Sequence, residues 1–365
     1  MNRNKLILIL IITVLSLLNL NLTAQPSFPR TYVMWYLPTL SMKAAKTLVG
    51  YDQFIGDPEV FGQSADAIKW LREQNPEMEF YCYFNPVEWF DPMFSDKPWS
   101  LQMVEFLNTK PAWWLKGTNG ERISFWTGMN TMNCAIDCKK YSINGTRQNY
   151  IEYTTGEFIK LLRKYPYLEG VLIDNLWSEV SWLGNYGKNI WGIDRDEDNK
   201  NDDPLELNLA WRRGLDYCIN KLRSYGGSEF IIIGNPGNLA FTKCNGKQFE
   251  NFPEIYLDEK DEKYEAWYKN LNHANYLKGP NFFNARADNY FFTLCSAALL
   301  DNVSFSYLQN TPYDPKYKLN LGLPLRDADS AGEIVSRKFK NGELFVNPSL
   351  KTAWVKYKNG TIRRE

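Results

Sequence analysis

A chain of 365 residues with 42 basic and 42 acidic side chains has no net charge at pH 7, so its charge balance points to neither a nucleic-acid partner nor an anionic membrane. Its only histidine, His273, stands in a polar stretch with no nucleophile beside it, which argues against a Ser-His-Asp triad, a histidine-rich zinc site and a histidine general base. What remains are carboxylates and a 15% aromatic content that includes 13 Trp, residue types suited to cleaving sugars and stacking on them.

Residues 1–24 read as a signal peptide. Arg3 and Lys5 form a charged start, Leu6 to Leu18 an apolar run, and Leu22-Thr23-Ala24 ends on a small residue. The run is short for a membrane span and no other segment qualifies. The expectation is an exported protein, periplasmic or extracellular, with no membrane span after cleavage; an uncleaved anchor is the alternative.

Eight short β-rich runs follow between residues 25 and 311. They are Thr31–Leu37, Tyr51–Gly56, Glu79–Asn85, Gly170–Asn175, Phe230–Asn235, Lys247–Asn251, Asn281–Arg286 and Val303–Leu308. Several are apolar without alternation, as strands covered on both faces should be. Helical periodicity lies between many of them: after Ser64 as a cap, over Tyr150–Lys164, over Leu205–Tyr225 before Gly226-Gly227, and over Tyr290–Leu300. The pattern predicts an α/β fold, a (β/α)8 TIM barrel. A doubly wound sheet is the rival, but no Gly-x-Gly-x-x-Gly turn follows the first strand.

The connection from Pro86 to Asn149 holds Trp89, Trp99, Trp113, Trp114 and Trp126, and a loop of that length in a barrel builds active-site wall. Cys134 and Cys138 are close enough in sequence to pair with each other or with Cys244, whereas Cys82, Cys218 and Cys295 read as buried thiols. From residue 312 to 365 the pattern turns to alternating strands with Asn-Gly turns at 341–342 and 359–360, a small C-terminal antiparallel β domain.

Barrel enzymes place their chemistry at the C-terminal ends of the strands. Asp174 ends the fourth run and Glu250 the sixth. In a retaining glycosidase two carboxylates stand roughly 5–5.5 Å apart, which makes Asp174 the candidate nucleophile and Glu250 the candidate acid/base. Trp35, Tyr36, Asp57, Tyr83, Asn85, Asn175, Trp177, Asn235 and Arg286 lie at or just past strand ends and, with Trp126, are the candidate sugar-binding residues. Asp194, Asp196, Asp198 and Asp202 sit at the spacing of a calcium loop, although Leu205 occupies the position of its bidentate Glu. A structural Ca2+ there is one reading, a solvated acidic loop with Asp202 or Asp203 capping the next helix the other; no cofactor is required for the reaction.

The ordered set Gly170-Val-Leu-Ile-Asp-Asn175, Asp194–Asp203 running into Leu209-Ala-Trp-Arg-Arg-Gly214, Ile233-Gly-Asn235, Asn245-Gly-Lys-Gln-Phe-Glu250, Leu321-Gly-Leu-Pro324 and Arg337 to Pro348 resembles the glycoside hydrolases grouped as hypothetical glycosidase-like family fifteen. The resemblance runs from Tyr32 to the end. It implies a (β/α)8 barrel with a small β extension. The layout is also similar to that of the α-galactosidase and dextranase clans, in which an Asp after strand four is the nucleophile and an acid after strand six the acid/base. Carried over, this implies those roles for Asp174 and Glu250. The expected protein is an exported glycoside hydrolase that cleaves a poly- or oligosaccharide at an α-linkage with retention. A noncatalytic glycan-binding barrel and a transglycosylase are the alternatives.

Overall fold

The computed structural model describes residues 28–236, 240–253, 263–277, 279–285 and 289–364. The leader read at 1–24 and the candidate Arg286 lie outside them. Eight parallel strands close into a barrel in chain order: β1 (Arg30–Trp35), β2 (Gln53–Gly56), β3 (Glu79–Phe84), β4 (Gly170–Ile173), β5 (Ile231–Gly234), β6 (Gly246–Phe249), β7 (Asn281–Asn284) and β8 (Val303–Ser306). All eight expected runs are barrel strands. They lack an apolar–polar alternation because both faces are buried. Tyr32, Met34, Ile55, Tyr81, Leu172, Ile233 and Phe282 fill the inside, and Val33, Phe54, Phe80, Val171, Ile173, Ile232, Phe283 and Phe305 face the outer layer.

The outer helices include α1 (Met42–Leu48), α2 (Ala65–Gln74), α3 (Tyr150–Leu162), α4 (Pro204–Gly226), α5 (Lys263–Tyr276) and α6 (Tyr290–Ala297). A capping box of Asn149 and Glu152 starts α3. Asp203 caps α4 by accepting from the Leu205 and Glu206 amides, and Pro204 stands at its first position. Ser64 does precede α2, but its hydroxyl accepts from the Leu40 amide at 2.6 Å instead of capping the helix. None of the described helices is long and apolar enough to cross a membrane.

Past β8 the chain forms a five-stranded antiparallel sheet, β9 (Asp329–Ala331), β10 (Ile334–Phe339), β11 (Gly342–Asn347), β12 (Thr352–Tyr357) and β13 (Ile362–Arg364). Val335, Phe339, Leu344, Val346, Ala353 and Val355 turn its inner face into the same core that surrounds the barrel, and β11 and β12 pack on α6. The pairing expected of Cys134 and Cys138 is corrected, while Cys82, Cys218 and Cys295 are the buried thiols expected. All six thiols are free and buried, and Cys134 and Cys138 donate instead to the Pro86 and Ala112 carbonyls.

Candidate active site

Side chains alternate along a strand, so the inward residue two positions before a strand's end predicts which one opens into the mouth. Leu172 points inward and Asp174 follows it in phase; the same step leads from Ile233 to Asn235, from Gln248 to Glu250, from Tyr81 to Tyr83 and from Met34 to Tyr36. Parallel register lines these ends up: Phe84 pairs with Ile173, and Ile173 with Gly234. Asp174 therefore sits between Tyr83 on one side and Asn235 on the other. Asn175 and Asn251, which follow the two acids, both take a left-handed backbone, at φ 52° and 48°. Asn tolerates that conformation better than most side chains, and it turns the chain away without disturbing the acid before it.

The two carboxyls have different surroundings. Asp174 accepts from the Tyr83 hydroxyl at 2.5 Å, the Asn175 amide at 2.8 Å and the Asn235 side-chain amide at 2.7 Å. Burial pushes its pKa above the usual range, and these three donors pull it back. Glu250 is pushed up to about 7 by burial and then by the nearby charge of Asp174, with only the Asn235 amide opposing the rise. Both carboxyls line one cavity. Such a pair separates naturally into a group that keeps its charge and a group that keeps its proton. The Tyr36 ring stands edge-on to Tyr83 at 4.9 Å, and its hydroxyl feels the charge of both acids.

A cavity of about 670 Å³ opens over the pair, lined by Asp174, Asn175, Asn235 and Glu250 and walled by rings that include Trp126 and Trp177. Asp57 and Asn85 line a smaller neighbour of about 80 Å³. There Asp57 is ion-paired with Lys97, and Asn85 accepts from the Val87 and Glu88 amides. Trp35 is a correction: it falls out of phase, lies buried in the layer outside the barrel, and gives its indole N–H to the Thr39 carbonyl at 2.9 Å.

The sequence profile of the hypothetical glycosyl hydrolase family 15 matches residues 72–343, from α2 through the barrel into the C-terminal sheet. The chain belongs to that family. Among curated proteins none matches. Solved structures similar to it include a cycloalternan-forming enzyme from Listeria monocytogenes in complex with a pentasaccharide substrate (10% identity, TM-score 0.45, 80% of this chain and 30% of that one). Others are a cycloalternan-degrading enzyme from Trueperella pyogenes (12%, TM-score 0.44, 81% and 44%) and a GH31 dextranase from Flavobacterium johnsoniae (9%, TM-score 0.45, 81% and 38%). The chain spans less than half the length of each of these three.

In this family-15 chain one acid at the site escaped sequence reasoning. Glu88, almost wholly buried, accepts from the Asn175 side chain at 2.9 Å, the Phe125 amide at 3.3 Å and the Thr131 hydroxyl at 3.4 Å. Burial pushes it up to about 7. It ties the residue after Asp174 to the long loop that walls the cavity. Of the acidic-loop residues, Asp194, Asp196 and Asp198 gather their oxygens within 4.8 Å of one another. Asp202 does not join them: it faces Arg195, accepting from its backbone amide at 2.7 Å. Asp194 is occupied by the Asp198 and Asn199 amides, as in a loop closing on itself.

Proposed function

We propose that this protein is an exported, retaining glycoside hydrolase that cleaves a poly- or oligosaccharide at an α-linkage, with Asp174 attacking the anomeric carbon and Glu250 handling the proton. The observation that carries the reading is one cavity of about 670 Å³ lined by both an acid with three hydrogen-bond donors and a buried acid raised to about 7. In the first step Glu250 gives its proton to the departing glycosidic oxygen while an Asp174 oxygen bonds to the sugar. In the second, Glu250 takes a proton from water, which displaces Asp174 from the anomeric carbon. Tyr83 and the Asn175 amide keep the attacking carboxylate charged, and the Tyr36 ring supports Tyr83 edge-on.

Incubating the purified protein with panels of α- and β-linked oligosaccharides tests this. Cleavage of an α-linked member, with the α-anomer appearing first by proton NMR, is expected. Asp174→Asn and Glu250→Gln should each lose about a thousandfold or more in kcat/KM. Full activity in Asp174→Asn, or an inverted first product, refutes the mechanism. Recovery from the periplasm of a chain starting at Gln25 tests the export.

A further inference from the structure

Five rings stand beside the acid pair, and no step above uses them. Phe125 is their hub, packing against Trp126 at 4.6 Å, Trp177 at 5.2 Å, Trp182 at 5.5 Å and Tyr186 at 5.1 Å. Trp182 touches Trp177 and Tyr186 as well, at 5.3 and 5.6 Å. The hub is fastened at its backbone. The Phe125 amide donates to Glu88, and the Asn189 side chain bonds both the amide and the carbonyl of Ser124. Two separate loops, after β3 and after β4, are thereby joined into one stiff surface.

That surface is not buried as a core would be. Trp126 is 57% exposed, Tyr186 47% and Trp182 39%, although the chain buries most of its other large rings. All five line the cavity that holds Asp174 and Glu250, and about 670 Å³ is the size that engulfs a drug-sized ligand, more than one hexose needs. Ser178, Glu179 and Asn251 add polar groups to the same wall. Flat C–H faces of sugars stack on exposed rings, and their hydroxyl edges need such polar neighbours.

We propose that Trp126, Trp182 and Tyr186 form a stacking platform for sugar units beyond the bond being cleaved, so that the substrate is a glycan chain longer than a disaccharide. This rests on the hydrolase reading only for what happens at the acids; the platform itself is a binding claim. The test is calorimetric titration of Asp174→Asn protein with α-(1→6)- and α-(1→4)-linked gluco-oligosaccharides from disaccharide to hexasaccharide. Affinity should climb with chain length in at least one series. Adding Trp182→Ala or Trp126→Ala should weaken hexasaccharide binding by about three- to tenfold, and disaccharide binding by clearly less. Trp182→Phe should restore part of the loss. Trp126, more than half exposed, keeps the test readable should Trp182→Ala loosen the cluster.

Length-independent or absent binding in both series, or an equal loss at every length, overturns the platform. Length-dependent binding with no cleavage of any glycan by the native enzyme leaves the platform standing and sinks the hydrolase reading. Cleavage without length dependence does the reverse.

Discussion

Asp174 holds three hydrogen-bond donors, while Glu250 is raised by burial and by the nearby charge of Asp174, so the proposed mechanism fixes a pH dependence. Under that mechanism activity should rise as Asp174 loses its proton and fall as pH passes about 7, where Glu250 would lose the proton the mechanism assigns it to donate. The Tyr83 hydroxyl favours the charged form of Asp174. Tyr83→Phe should therefore move the acidic limb of kcat/KM to higher pH and leave the limb near 7 in place; a limb moving the other way contradicts the assignment. Glu88 and Glu250 also bear on stability. Both have an ordinary pKa of 4.5 and a folded value of about 7, so between those values the folded chain holds protons that the unfolded chain has released. Their stabilising contribution is complete below about 4.5 and is lost as pH rises through about 7. Glu88→Gln cannot ionise, and its melting temperature should fall less between pH 5 and pH 8 than that of the parent. Asp174 and Glu250 were legible because each stands at the end of a β-rich run. Glu88 was not: its burial depends on Asn175, 87 residues away, and nothing in Pro86-Val87-Glu88-Trp89 signals that contact.

At the scale of elements, strands were easier to read than what fastens them. A run such as Val171-Leu172-Ile173 can hardly be anything but covered on both faces, whereas a hydroxyl before a helix has several partners open to it, and Ser64 takes Leu40. Gly214 of α4 is a second instance. In a helix interior Gly to Ala normally gains stability. Here a Cβ at 214 would stand 1.8 Å from the Cys134 carbonyl oxygen, because α4 lies directly on the long loop after β3. Gly214→Ala is expected to destabilise by about 1–3 kcal/mol, read as a drop in thermal midpoint. A rise would show that the loop and helix do not meet. The cysteine spacing misled for a related reason, since nearness in sequence says nothing about where a thiol points once a carbonyl is within reach.

For the molecule as a whole, the C-terminal sheet is a lid on the barrel's outer core and not an appendage that could leave. Arg337 of β10, 2% exposed, reaches Asp301 at 2.6 Å, the Arg326 carbonyl at 3.0 Å and the Ala298 carbonyl at 3.3 Å, pinning the sheet to the end of α6. Sheet and barrel should unfold in one calorimetric transition, and Arg337→Met should lower it by several degrees by leaving those acceptors unpaired. Two separated transitions would show independent units. The antiparallel pattern was visible beforehand, and the one sign of its dependence on the barrel was α6, which carries no charge and is buried from Phe291 to Ala297 because a second layer lies across it. One local device reaches further. Since Asn175 and Asn251 reverse the chain immediately after each acid, the segments beyond them can lengthen, shorten or be exchanged while the carboxyls stay where the strands put them. A laboratory wanting a different sugar specificity could recombine those segments among relatives and keep both asparagines as fixed splice points.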